Sequence, residues 1–189
     1  AAFGGPIVQD RAHFFLTYEA KEQMRPQTIT PGRGVPAAAL PAEFQGLVGT
    51  GSEQFKEDLY FGKVDWLFGD DHYFELTFKK RSEVGQAGAG GTNTFEHSTD
   101  KENDETRIDL RYQLTRGDWL NDAHLTHEDT SFGPRPRNLV PGHVLTLGDQ
   151  WWDPVLQAGG GNDFQDKGQK GWSLQDDLTY TGIEGHVFK

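Results

Sequence analysis

The stretch Leu59–Arg81, LYFGKVDWLFGDDHYFELTFKKR, decides how the chain is to be read. Two apolar ribbons flank the break Gly69-Asp70-Asp71. Side chains alternate faces along a strand with period two. That period sets Tyr60, Val64, Trp66 and Phe68 on one face of the first ribbon, and Phe74, Leu76 and Phe78 on one face of the second. Lys63, Asp65, Glu75, Thr77 and Lys79 fall on the other. The ribbons predict a hairpin with one strongly aromatic face and one charged face. The aromatic face needs a cover, and the charged face needs something to look into.

The same pattern recurs outward from this hairpin. In TRIDLRYQLT, Ile108, Leu110, Tyr112 and Leu114 alternate with Arg107, Asp109, Arg111 and Gln113. HFFLTYEAK sets Phe14, Leu16 and Tyr18 against Phe15, Thr17 and Glu19, with Phe15 blurring the pattern. Trp119, Ala123 and Leu125 oppose Asp122, His124 and Thr126. Trp172, Leu174, Leu178 and Tyr180 oppose Ser173, Gln175, Asp177 and Thr179. Asp176 falls on the apolar side there, which predicts a bulge or a shifted register. These patterns predict strands over about 12–25, 56–68, 72–84, 105–116, 118–130 and 171–183. Helical signal is confined to Ala37–Val48, where Pro41 interrupts it.

The connections alternate in length. Long ones cover about 26–55, 85–104 and 131–170; short ones are Gly69-Asp70-Asp71, Arg116-Gly117-Asp118 and Gly182–Gly185. In an up-and-down antiparallel sheet, every short turn then lies at one end and every long loop at the other. Outer-membrane barrels sort their connections in this way, with short periplasmic turns and long extracellular loops. No helical layer is available to cover the aromatic face. A bilayer would cover it, with the charges facing a hydrated lumen. On this reading Lys63, Asp65, Glu75, Lys79, Arg107, Asp109 and Arg111 face the lumen. Tyr60, Trp66, Phe68, Phe74, Phe78, Tyr112, Trp119 and Tyr180 face lipid. Trp66, Phe68, Phe74, Trp119 and Tyr180 cluster near the short turns, where an aromatic girdle belongs. Tyr60 and Trp172 fall nearer the opposite interface.

Composition agrees with a half-buried β protein. The 189 residues carry 29 Asp and Glu against 18 Lys and Arg, a formal net charge of -11, which argues against a general nucleic-acid binder. Hydrophobic residues make up only 34%, yet aromatics reach 12%, whereas a disordered chain is poor in aromatics. The absence of cysteine removes disulfide scaffolds and thiolate metal sites. The opening AAFGGPIVQD has neither the basic start nor the apolar middle of a signal peptide.

FGGPIVQDRAHFFLTYE (Phe3–Glu19) resembles the junction between plug and barrel in TonB-dependent outer-membrane receptors, and most closely the Oar-like branch. There a GGPI-type turn precedes an aromatic first barrel strand ending in Tyr-Glu. DLYFGKVDWLFGDDHYFELTFKKR is similar to the next hairpin of that family. The resemblance covers the strand framework, about half of the chain; the loops match nothing in it. It implies a 22-stranded barrel enclosing a plug, coupled through a TonB box to an inner-membrane energy complex. Residues 1–11 would be the plug-to-barrel junction and 12–189 the first part of the barrel. The chain would be a fragment, with GIEGHVFK leading into a further strand. The implied partners are outer-membrane lipid, the plug of the full-length chain, the TonB complex and an extracellular ligand. Import, export and adhesion remain open on this reading.

Candidate chemistry is sparse. His124 and His127 in HLTHE fall on opposite sides of a strand and do not share a metal. GQAGAGGTN (Gly85–Asn93) lacks the helix and Lys of a phosphate cradle and reads as a flexible loop. DKENDE (Asp100–Glu105) and GGGNDFQDKGQ (Gly159–Gln169) offer oxygen ligands of the kind calcium takes, without EF-hand spacing; solvated acidic loop is the preferred reading. Trp151-Trp152 would either stack on a ligand or pack the third loop against its neighbours, packing being preferred. No catalytic residue stands out, and the chain reads as a binding and transport protein. The rival readings are a small closed barrel, with further strands in segments such as Asn138–Leu147, and a soluble carbohydrate-binding β-sandwich.

Overall fold

A computed structural model describes residues 1–149 and 151–189. The chain is an all-β protein built on antiparallel sheet, with three long connections between strands. Its strands are β1 (Ala2–Val8), β2 (Ala12–Ile29), β3 (Gly49–Phe68), β4 (His72–Ala87), β5 (Thr99–Arg116) and β6 (Trp119–Phe132). They continue as β7 (Arg135–Pro136), β8 (His143–Leu145), β9 (Leu156–Ala158), β10 (Lys167–Ile183) and β11 (His186–Phe188). The large sheet runs β1-β2-β3-β4-β5-β6-β10-β11, with β7 pairing β5, while β8 and β9 form a separate two-stranded sheet. The large sheet is open: β1 pairs only β2, and β11 pairs only β10. Among the described residues the sheet therefore does not close into a small barrel. Asn138–Leu147 does contain a strand, β8, but it pairs with β9.

All six sequence-predicted strands are present, and most run well past their expected limits. β3 begins at Gly49 and not near 56, and β2 continues to Ile29 through Pro26. Backbone pairing needs no apolar side chain, so the polar KEQMRPQTI simply continues the ladder onto GTGSEQFKED. Asp100–Glu105, expected in a loop, is likewise part of β5. Gly4-Gly5-Pro6, expected as a turn, lies inside β1, and the tight turn falls at residues 9–11 with Asp10 at φ 59°. The bulge expected near Asp176 is absent: β10 pairs β6 without a break from Lys167 to Tyr180. Asp176 stays on the apolar face, where it accepts a 2.5 Å hydrogen bond from Asn121 Nδ2.

The tight turns lie together at one end. Gly69 and Gly117 take φ of 67° and 57°, values a Cβ disfavours, and so permit reversals too short for most residues. Neighbouring hairpins are joined at this end by Leu67 N–H to Arg11 C=O, Thr115 N–H to Asp71 C=O and Thr181 N–H to Asp118 C=O.

The buried core sits at the opposite end, in the long loops. Ile29, Leu40, Ala89, Val155 and Leu156 form it, with Val35, Phe44, Val48, Phe95 and Leu145 packed around. Pro41 separates a 3-10 turn at Ala37–Ala39 from the single helical turn α1 (Ala42–Gln45), as the sequence predicts. Each pair of loops is joined by backbone hydrogen bonds: Thr30 to Gly91, Gly32 to Val155 and Thr94 to Gln157. The nearly buried Glu53 accepts from Ala89 N–H at 2.9 Å and Gln27 Nε2 at 3.1 Å, tying the second loop to β2 and β3. The long loops thus pack together as a cap, and the first three residues of GQAGAGGTN, expected in the loop, belong to β4.

Candidate functional site

The strand register arranges the side chains in rows that cross six strands. Phe14, Val64, Leu76, Leu110, Leu125 and Leu174 stand opposite one another as a single apolar row. The next row toward the turns holds Ala12, Trp66, Phe74, Tyr112, Ala123 and Asp176. Toward the loops the row is Leu16, Gly62, Phe78, Ile108, His127 and Trp172. Aromatic pairs mark both ends of this apolar band. Phe74 and Tyr112 are 4.7 Å apart and Trp119 and Tyr180 4.4 Å apart near the turns. Tyr18 and Tyr60 at 4.9 Å and His127 and Trp172 at 4.5 Å mark the loop side.

No layer of the protein covers this face among the described residues. Leu76 and Leu110, in the middle of the sheet and flanked by strands on both sides, are 46% and 42% exposed. The aromatics Tyr60, Trp66, Phe68, Phe74 and Phe78 are exposed as well. A sandwich would bury them between two sheets. The second sheet here is the short β8–β9 pair in the loop cap, so the sandwich reading fails.

The opposite face is charged and more tightly packed. Lys63 Nζ lies 2.6 Å from Glu75, whose other contact is the Tyr73 hydroxyl, donating at 2.6 Å. Arg111 grips Asp122 with two donors at 2.8 and 2.5 Å. His124 stands between Asp109 and Asp122, with ring nitrogens 3.4 and 3.3 Å from them. Thr126 donates to Asp109 at 2.5 Å. His13 and Asp65 are 3.3 Å apart, Lys79 and Glu105 3.3 Å, and Arg107 and Glu128 4.0 Å. The Glu75 and Asp122 side chains are only 18% and 23% exposed, less than the leucines on the other face. All seven residues read from the sequence as one charged set share this face; five of them have partners of opposite charge, while Asp65 and Asp109 each meet a histidine ring nitrogen. Asp122, His124 and Tyr73 complete the network. Alternation places the first two on this side, but which cation meets which anion is a matter of register. Phe15 also lies here, 6.3 Å from Phe61.

The tryptophans of the third loop do not pack against its neighbours. Trp151 and Trp152 are 74% and 66% exposed and touch each other edge to face, with ring centroids 6.0 Å apart. The preference for packing is thereby overturned. They sit in the connection between β8 and β9, whose base is fixed by Val155 N–H to Leu145 C=O and by an Arg33–Asp153 ion pair of 3.2 Å.

The acidic segments do not gather into a metal centre among the described residues. Strand alternation sends Asp100, Glu102 and Asp104 to one side of β5, around Arg135, with Asp166 nearby. His124 and His127 lie on opposite faces, as alternation predicts. The residues that sequence reasoning missed are those of the loop core and Glu53. They are scattered over three connections and the strand ends beside them without periodicity, so no pattern announces them. Comparison of the chain with protein families, curated proteins and solved structures finds no match.

Proposed function

We propose that the sheet is an arc of a transmembrane β-barrel in a bacterial outer membrane, related in design to TonB-dependent receptors of the Oar-like branch. The observation that carries this reading is the uncovered apolar band on one face, set against a paired charge network on the other. A sheet in water would put its charges outward and hide its leucines. Lipid as the covering solvent reverses that preference. The band also has the right height. From Tyr60 to Phe68 a strand advances roughly 26 Å. Tilted by about 40°, that is roughly 20 Å, close to the apolar band of about 25 Å on outer-membrane barrels. Beyond the band, the long β2, β3 and β5 continue into the aqueous side and carry the loop cap.

In this reading the charge network lines a hydrated lumen and meets the plug of the full-length protein. The loop cap, with Trp151 and Trp152 exposed upon it, meets the extracellular ligand. The protein acts by binding and gated passage driven by the inner-membrane energy complex, not by bond chemistry. The open edges at β1 and β11 are where further strands of the barrel would pair.

The lack of cysteine makes the test clean. Single cysteines replace Leu76, Leu110, Asp109 and Thr77 in the protein in outer-membrane preparations, and a water-soluble maleimide is added. Cysteines at 109 and 77 should react, and those at 76 and 110 should react only after detergent or denaturant disperses the bilayer. Equal labelling at all four positions in intact membranes would refute the proposal.

A further inference from the structure

The apolar face contains a notch. In the row Leu16–Gly62–Phe78, glycine supplies no side chain where its neighbours supply large ones. A Cβ built on Gly62 would meet Leu16 Cδ2 at 3.2 Å and nothing else, so the gap is partly filled from one side only. The result is a groove of about 400 Å³, walled by Phe3, Leu16, Tyr18, Tyr60 and Phe78. That volume lies within the range of small-molecule clefts. Its lining is almost wholly apolar, and it spans β1 to β4 at the loop-side edge of the apolar band.

One row further toward the loops, Tyr60 is flanked by Tyr18 and Lys80. Tyr18 is fixed by its hydroxyl, which donates to Asp58 at 2.6 Å, so that carboxylate is already engaged. Lys80 is exposed and, among the described residues, has no ion-pair or hydrogen-bond partner. This sets it apart from Lys56 and Lys170, which share its side of the sheet but are paired with Glu22 and Asp129. Lys80 also stands directly opposite Thr106, a neutral hydroxyl. An unpaired lysine one row beyond an apolar groove matches a molecule with a hydrocarbon chain and an anionic head.

We propose that this groove holds one acyl chain of a phosphate-bearing lipid of the outer leaflet, with Lys80 on the phosphate. The inference rests on the membrane reading above, because only there does the groove face lipid. The chain fills the space left by Gly62, and Lys80 contributes a charge-assisted hydrogen bond at the depth where headgroups begin.

The test uses the protein extracted in non-ionic detergent and two single-chain probes, 1-palmitoyl lysophosphatidic acid and 1-palmitoylglycerol, with binding counted by native mass spectrometry. Wild-type protein should prefer the phosphate-bearing probe by about tenfold or more, the scale of one charge-assisted contact. Lys80→Gln should bring that ratio to about one while leaving binding of the glycerol probe unchanged. Gly62→Leu should weaken both probes by about tenfold or more. Equal binding of the two probes by wild-type protein, or undiminished binding by Gly62→Leu, overturns the inference. Heat-modifiable gel migration shows whether each variant has folded. Cysteine labelling as described above separates the two levels. Failure there removes both readings, whereas correct labelling with no lipid preference removes this inference alone.

Discussion

Leu110→Arg places a cation in the apolar row at the middle of the sheet, with Leu76 and Leu125 directly opposite on the neighbouring strands. The magnitude depends on which solvent covers the row. Leu110 is 42% exposed in the isolated chain, so if water covers it the loss of contact is partial. An exposed position away from special features shifts stability by about 0.5 kcal/mol or less. Under lipid, an arginine near the bilayer midplane of a barrel costs about 2–4 kcal/mol. That corresponds to roughly 30- to 1,000-fold in the folded-to-unfolded ratio. Asp109→Asn is the control: it lies next door but on the charged face, and loses only a partly exposed acceptor of His124 and Thr126. It should cost about 1 kcal/mol. The assay is urea unfolding in lipid vesicles, followed by tryptophan fluorescence and gel migration. Leu110→Arg should unfold at distinctly lower urea than both wild type and Asp109→Asn. If it instead matches wild type, the apolar band is not a lipid-facing surface, and the argument from uncovered leucines fails.

Three further outcomes follow from the geometry. Arg111→Ala removes both donors to Asp122 and leaves that carboxylate with His124 at 3.3 Å; it should destabilise by about 1 kcal/mol, with the loss shrinking in 1 M salt, as read from denaturant midpoints. Leu156→Ala opens a cavity at a fully buried position of the loop cap and should cost about 2–5 kcal/mol there; limited proteolysis should cut the 133–166 connection sooner, with the sheet left intact. Replacing both Trp151 and Trp152 by Ala should move the unfolding midpoint by no more than about 0.5 kcal/mol, because both rings are largely exposed; a larger loss would mean they pack after all.

Much of the sheet was legible because alternation is a local property. Ile108, Leu110, Tyr112 and Leu114 separate from Arg107, Asp109, Arg111 and Gln113 whatever their neighbours are, and the structure keeps that separation. The turns at Gly69 and Gly117 were equally legible, since a short reversal needs its glycine locally. Strand ends were not. The outer halves of β2 and β3 carry no periodic apolar face, and they are strands only because each supplies the other's hydrogen bonds. Asp176 shows the same limit from the other side. Its misfit on the apolar face suggested a bulge, yet the unbroken ladder to β6 keeps it in register and Asn121 supplies its carboxylate with a hydrogen bond.

By itself, then, the amino-acid order determined that the chain forms antiparallel strands with one apolar and one charged face, with tight turns at one end and long connections at the other. Those features follow from steric period and turn chemistry within a few residues. Tertiary structure alone decided three things. It assigned the ion pairs, because Lys63–Glu75 and Arg111–Asp122 are neighbours only across a specific register. It built the core, because Ile29, Leu40, Ala89, Val155 and Leu156 come together from loops far apart in the chain. It left the groove at Gly62 open, because an absent side chain becomes a cavity only once Leu16 and Phe78 stand on either side of it.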